Sequence, residues 1–165
     1  MTTNIPSERA IHLEIIINAS LSDVWDAWTT KQGILSFFSP DCFVEFKIGG
    51  TYENYFDLEA KPGLRGGEGN KILAIQEQSM FSFTWNAPPH LPEVRNQRTH
   101  VIIRFEQLEK NKTRVTLHHD GWGNGGQWDE AFEYFQKAWE NIVLPRLKYR
   151  FDHGPVNWKN PPTFQ

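Results

Sequence analysis

Six residues near the C-terminus constrain this chain more than any others. Trp128, Phe132, Phe135, Trp139, Ile142 and Arg146 recur at steps of four, three, four, three and four, and only the last is polar. That spacing places them on one face of an α-helix. Ala131 and Ala138 widen the stripe, while Asp129, Glu130, Glu133, Gln136, Lys137 and Glu140 occupy the opposite side. Pro145 lacks a backbone donor and is expected to kink the helix near Asn141. A stripe this aromatic must lie on something apolar and broad, and the rest of the chain has to supply it.

The pattern upstream is that of strands. Ile11–Ile17 alternates well enough for a strand with one buried face. Ser20 or Ser22 can cap a short helix carrying Trp25 and Trp28, and Thr30 can cap a second, Lys31–Phe38, which Pro40 ends. Residues 42–46, 51–56, 71–75, 80–85, 99–105 and 113–119 read as further strands, the last two joined by a hairpin turn at 109–112. Gly63–Gly69 holds four glycines in seven residues and reads as a loop or a bulged strand start. The Pro-rich stretch 86–98 reads as an exposed loop. Short strands in sequence order favour an antiparallel meander, so the expectation is an α+β domain in which a curved sheet grips the C-terminal helix. The domain is expected over residues 10–151, with a frayed tail at 1–9 and an irregular one at 152–165.

Charge and composition exclude several functions. A formal net charge of −3, with no cluster of Lys and Arg, argues against nucleic acid. No apolar run is long enough for membrane insertion, and no signal peptide is apparent at the N-terminus. The single cysteine, Cys42, rules out an internal disulfide, and a cytoplasmic location is expected. Seven Trp and twelve Phe exceed what a core of this size requires, and aromatic surplus also lines ligand cavities.

Signatures of catalysis are missing. There is no Gly-x-Ser-x-Gly elbow, and the glycine-rich segment lacks the Lys-Ser or Lys-Thr ending of a phosphate cradle. His118 and His119 are adjacent in a strand and point to opposite faces, while His12, His90, His100 and His153 are dispersed, so no metal site and no cofactor are expected. Cys42 has no basic neighbour to activate it. His119 shares a face with Val115 and Leu117 and is either a polar group lining a pocket or a satisfied core histidine. Trp85 and Trp122 are candidate pocket walls, and Tyr55, Glu45 and Glu53 are its candidate polar groups.

Four segments carry a family resemblance: Ala19-Ser-Leu-Ser-Asp-Val-Trp25-Asp-Ala-Trp28, Lys47-Ile-Gly-Gly50-Thr-Tyr52, Phe81-Ser-Phe-Thr-Trp85 and Lys112-Thr-Arg-Val-Thr-Leu-His-His-Asp-Gly121-Trp122. In this order and spacing they resemble the homologues of the heat-shock-protein-90 ATPase activator. That family belongs to the START-like (SRPBCC) superfamily, which includes the birch-pollen allergen. The resemblance covers about Ile11 to Phe151. It implies the helix-grip fold: six or seven curved strands, two short helices after the first strand, and a long helix closing a cavity.

Three functions then compete. The leading one is binding of a small apolar or aromatic ligand between the sheet and Trp128, Phe132, Phe135 and Trp139, and it fails if the chain's own side chains fill the cavity. The second is a cyclase- or hydrolase-like enzyme with His119 as base. The third is a protein-interaction domain, linked to a chaperone or forming a homodimer, with its apolar patch on loop 86–98 or the C-terminal tail. The chain has no counterpart of the separate N-terminal domain of the eukaryotic activator, which weighs against chaperone stimulation.

Overall fold

The computed structural model describes residues 9–164. Of the expected N-terminal tail, only Arg9 falls among them. Strand β1 (Ile11–Ile17) buries Ile11 and Ile17 at its two ends. Ser20 caps α1 (Leu21–Thr29), its hydroxyl accepting from the Asp23 N–H at 3.1 Å. Thr30 serves two helices. Its Oγ1 donates to the Asp26 carbonyl of α1 at 2.8 Å and accepts from the Gly33 N–H of α2 (Lys31–Leu35) at 3.0 Å. Helix α2 is shorter than expected, and Phe37 and Phe38 follow it in a turn with both rings buried.

The remaining strands are β2 (Asp41–Val44), β3 (Tyr52–Tyr55), β4 (Gly66–Gly67), β5 (Ile72–Gln76), β6 (Met80–Trp85), β7 (Thr99–Glu109) and β8 (Lys112–Asp120). Five of them form an antiparallel sheet in the order β1-β8-β7-β6-β5, and three form a smaller one in the order β2-β3-β4. The two sheets join. Thr51 bridges Lys71, the Tyr52 N–H donates to the Asn70 carbonyl, and the Ile72 N–H donates to the Gly50 carbonyl. β4 and β5 are therefore two parts of one interrupted strand running along β3. At the break Gly69 has φ +80°, a conformation that only glycine adopts without strain. Counted this way, the sheet is a curved meander of seven strands around a helix, the helix-grip fold.

Its concave face carries alternate residues: Thr99, Val101, Ile103 and Phe105 from β7, and Thr113, Val115, Leu117 and His119 from β8, all buried. Trp25 and Trp28 of α1 project onto this face. Trp25 meets Phe105 edge-on at 5.0 Å and Trp28 meets Phe37 at 4.9 Å between ring centroids, the geometry aromatic pairs prefer.

The helix runs without a break as α3 (Gln127–Ala138), a π-helical segment Trp139–Val143, and α4 (Leu144–His153). The expected disturbance near Asn141 takes the form of this segment, where the Leu144 N–H reaches back five residues to the Trp139 carbonyl. Pro145 cannot donate to Asn141 and its ring crowds that carbonyl; the wider turn accommodates it with one extra residue. The consequence corrects the expected stripe. Beyond Trp139 the buried face moves on by one position, to Val143 and Leu147, while Ile142 is 43% exposed and Arg146 only partly buried.

A second correction concerns residues 86–98. They are irregular, and seven of the thirteen are exposed as expected, but Asn86, Ala87, Leu91, Val94 and Arg95 are buried and anchor the segment. Arg95 holds the segment in place, donating to the carbonyls of Ala87, Gly63 and Gly66 at 2.5, 2.7 and 3.1 Å. These carbonyls, with the Glu68 carboxylate at 3.4 Å, offset the cost of burying the cation. After α4 the chain folds back on α2, with the Val156 N–H on the Ser36 carbonyl (2.9 Å) and Trp158 Nε1 on the Leu35 carbonyl (2.6 Å).

Candidate functional site

Trp139 stands at the centre of the interface between helix and sheet and is 1% exposed. Its ring meets Phe38 and Trp85, each at 5.8 Å. Its Nε1–H donates to His119 Nδ1 at 3.1 Å. An indole nitrogen only donates, so Nδ1 carries no proton and His119 Nε2 does. That proton goes to Thr99 Oγ1 at 2.7 Å, and the Thr99 hydroxyl passes its own to the Trp85 carbonyl at 3.1 Å. Complete burial, with His100 and His118 adding positive neighbours, holds the His119 pKa well below the ordinary 6.5. His119 is thus a neutral residue with both nitrogens engaged. It locks the helix to the sheet and has no free nitrogen to offer a substrate.

Three further candidates, Trp122, Trp128 and Phe132, gather on the outer side of His119. Trp122 Nε1 donates to the His119 carbonyl at 2.9 Å, and its ring lies 5.4 Å from Phe132 and 6.4 Å from Trp128. Arg9 closes this cluster, stacked 5.0 Å over Phe132 and paired with Asp129 at 2.7 Å. Gly123 permits it, since a Cβ there would collide with Trp128 Nε1. These rings pack on one another and line none of the hollows described below.

Buried side chains of both the sheet and the helix form one core cluster. Open space lies at its mouth instead. Two adjoining hollows, of about 240 and 200 Å³, share the walls Phe56, Trp85, Tyr134 and Phe135. The first extends toward Leu64, Asn86, Pro88 and His90. The second extends along the helix over Phe38, Ala138, Trp139, Ile142 and Val143 to Arg146. The π-helical segment is what turns Ile142 into this groove. Of the residues singled out in the sequence, Trp85, Phe135 and Trp139 line it. Phe56, Tyr134 and Arg146 line it too; the step-of-three-and-four count had Arg146 only as the last position of a buried stripe, and nothing in the periodicity marked the other two.

The polar candidates lie elsewhere. The Tyr55 hydroxyl donates to Glu53 Oε1 at 2.5 Å, and Glu53 Oε2 accepts the Gly69 N–H at 2.7 Å. Burial and the Glu53 carboxylate raise the Tyr55 pKa well above its ordinary 10. This pair braces the β4–β5 break. Glu45 is exposed. The Cys42 thiol is buried and its pKa raised to about 11, chiefly by desolvation, so it is held as the unreactive thiol. The strand register does bring dispersed histidines together on the convex face: His12 is 5.8 Å from His118 between ring centroids, and His118 and His100 lie 3.3 and 3.4 Å from the two oxygens of Asp120. Among the described residues, however, no group of three or more His, Cys, Asp or Glu is placed to hold a metal ion, and no helix is long and apolar enough to cross a membrane. A larger open groove of about 710 Å³ lies between α1, α2 and the end of α4, and it contains none of the pocket candidates.

Comparison with known proteins places this geometry. The family model described as activator of Hsp90 ATPase homolog 1-like protein matches residues 18–151. Among solved structures, the Aha1 dimer from Colwellia psychrerythraea superposes with a TM-score of 0.66 at 22% identity, covering 88% of this chain and 98% of that one. CalU16 from Micromonospora echinospora gives 0.64 at 19% identity over 94% and 82%. DynU16, from the dynemicin biosynthetic locus, gives 0.64 at 14% identity over 88% of this chain but only 48% of its own, so this chain spans about half of that protein. At these identities the likeness establishes the fold alone. No curated protein matches the chain.

Proposed function

The chain belongs to the activator of Hsp90 ATPase homolog 1-like family, and from that premise we propose that it binds a small apolar or aromatic molecule in the groove between the sheet rim and the C-terminal helix. What carries the reading is the pair of adjoining hollows with aromatic walls from three separate elements. An apolar cavity of roughly 150 Å³ already admits benzene, so a groove of this size suits a molecule of one or two rings. The site is smaller than a typical drug-sized pocket, and it is a mouth, not the deep cavity between Trp128, Phe132 and the sheet. One fold relative, DynU16, comes from a biosynthetic locus, which lends the reading some further support. An enzymatic role has less behind it, because His119 is engaged on both nitrogens.

Native mass spectrometry of gently purified protein, followed by denaturing extraction, tests the reading. A stoichiometric small molecule with an aromatic or aliphatic body is the expected result. A chain that is empty, and stays empty when soaked in excess 1-naphthalenemethanol, overturns it.

A second reading, self-association, has its own observation. Phe43, Ile48 and Leu58, on β2 and the connections at either end of β3, are 52, 69 and 45% exposed, and one fold relative was solved as a dimer. This is not the loop and tail where the sequence placed an interaction patch. Sedimentation velocity of the wild type and Phe43→Ser distinguishes a dimer built on this edge from a monomer.

A further inference from the structure

We propose that the ligand of this groove carries an oxyanion, such as a carboxylate or sulfonate, that is held by Arg146. The inference rests on the groove reading above and names the chemical class of what the groove takes. Among the described residues, burial lowers the pKa of three arginines, Arg95, Arg98 and Arg146, and their surroundings differ. Arg95 has Glu68 beside it at 3.4 Å, and Glu53 offsets the burial of Arg98. Among the described residues Arg146 has no such partner. Burial alone lowers its pKa, no acidic neighbour acts against that, and its Nε is buried without an acceptor among the described residues. The other residues of the hollow it lines are Phe38, Phe56, Trp85, Tyr134, Phe135, Ala138, Trp139, Ile142 and Val143, and none is acidic.

The guanidinium is nonetheless held in place. It lies 5.1 Å over the ring of Trp158, which is itself fixed to the Leu35 carbonyl. A cation–π contact engages the face of a guanidinium, and its terminal N–H groups are the donors suited to a planar oxyanion. The cost of keeping a cation at an apolar mouth is offset when an anion arrives. Trp85, which lines both hollows, adds a second buried donor, Nε1, with no acceptor among the described residues. One aromatic-walled groove therefore contains two donor side chains without partners among the described residues and, at the Arg146 end, no carboxylate; Asp57 and Arg65 lie on the adjoining hollow.

The test uses two probes of equal body and different charge, 1-naphthoate and 1-naphthalenemethanol, titrated into the ¹⁵N-labelled full chain. The Trp85 indole resonance reports occupancy. A charge-assisted hydrogen bond at the lower end of its usual range corresponds to about tenfold in affinity, so naphthoate should bind the wild type about tenfold more tightly than the alcohol. Arg146→Met, which keeps the aliphatic stem, should bring the two to parity. Arg146→Lys should keep only part of the preference. If the alcohol binds and naphthoate gains nothing, or if the preference survives Arg146→Met in a variant whose indole spectrum is otherwise native, the assignment of Arg146 is wrong while the groove reading stands. If neither probe moves Trp85, the groove reading falls and this inference with it.

Discussion

The two ends of the interface between helix and sheet are built from the same kinds of residue and behave in opposite ways. At the Trp139 end, every polar atom of the His119–Thr99 relay has a partner and the rings close over it. At the Arg146 end, aromatic rings leave open volume, and two donors lack acceptors among the described residues. Aromatic surplus alone therefore does not identify a binding site. Satisfied polar groups lock the His119 end, whereas unpartnered donors beside a hollow are what supports the proposed site at the other. The boundary between the two is the π-helical segment, which rotates Ile142 and Arg146 out of the core and Val143 and Leu147 into it.

Substitutions can break this comparison, beginning with its closed end. Trp139→Ala removes a fully buried ring and strips His119 Nδ1 of its donor, and should cost about 4 kcal/mol in urea unfolding. Loss of less than about 1 kcal/mol would mean that the relay does not lock the helix. The rotated stripe is tested next. Leu147, 0% exposed, should cost about 3 kcal/mol on truncation to Ala, and Ile142→Ala less than about 1. Equal costs would contradict the one-residue shift. Thr99→Val keeps the shape but leaves the His119 Nε2–H unpaired, for an expected loss of about 2 kcal/mol.

Protonation gives the smallest effect and the clearest sign. The His119 pKa is depressed in the folded state, so below about pH 6.5 the unfolded chain takes up a proton that the folded chain refuses. This contribution to stability is intact above pH 6.5 and is lost as the pH falls toward the folded value, by at most about 1.4 kcal/mol per pH unit. Unfolding measured between pH 7 and pH 5 should show that slope reduced in His119→Gln. An unchanged slope would mean that His119 is not the group held neutral.

Much of this was legible beforehand, for a physical reason. Strand alternation and helical stepping are local, and a fold that buries one face of each element follows from them; Ser20 and Thr30 could be read as caps because capping chemistry is local as well. The parts that escaped depend on contacts distant in sequence. Periodicity assumes 3.6 residues per turn throughout, so it carried the stripe straight through Pro145 and put Ile142 and Arg146 inside. Loop 86–98 looked solvated because a cation was counted as a surface charge, and the carbonyls that bury Arg95 come partly from residues some thirty positions away. The same limit hid the gathering of His12, His100 and His118, which cross-strand register alone produces. His119 could be placed on the inner face but not weighed, since its role depends on Trp139 and Thr99 meeting it from two other elements.

The central claim is that the mouth of the helix grip is a binding site and its interior is not. Ala138 lines that mouth, partly buried, on the helix face between Phe135 and Ile142. Replacing it by Phe fills the hollow and removes no hydrogen-bonding group of the His119 relay. The direct measurement is calorimetric titration of 1-naphthalenemethanol into the wild type and Ala138→Phe. The account predicts saturable binding to the wild type and at least a tenfold loss in a variant that still unfolds cooperatively. Equal binding by both proteins would place the ligand elsewhere and contradict it.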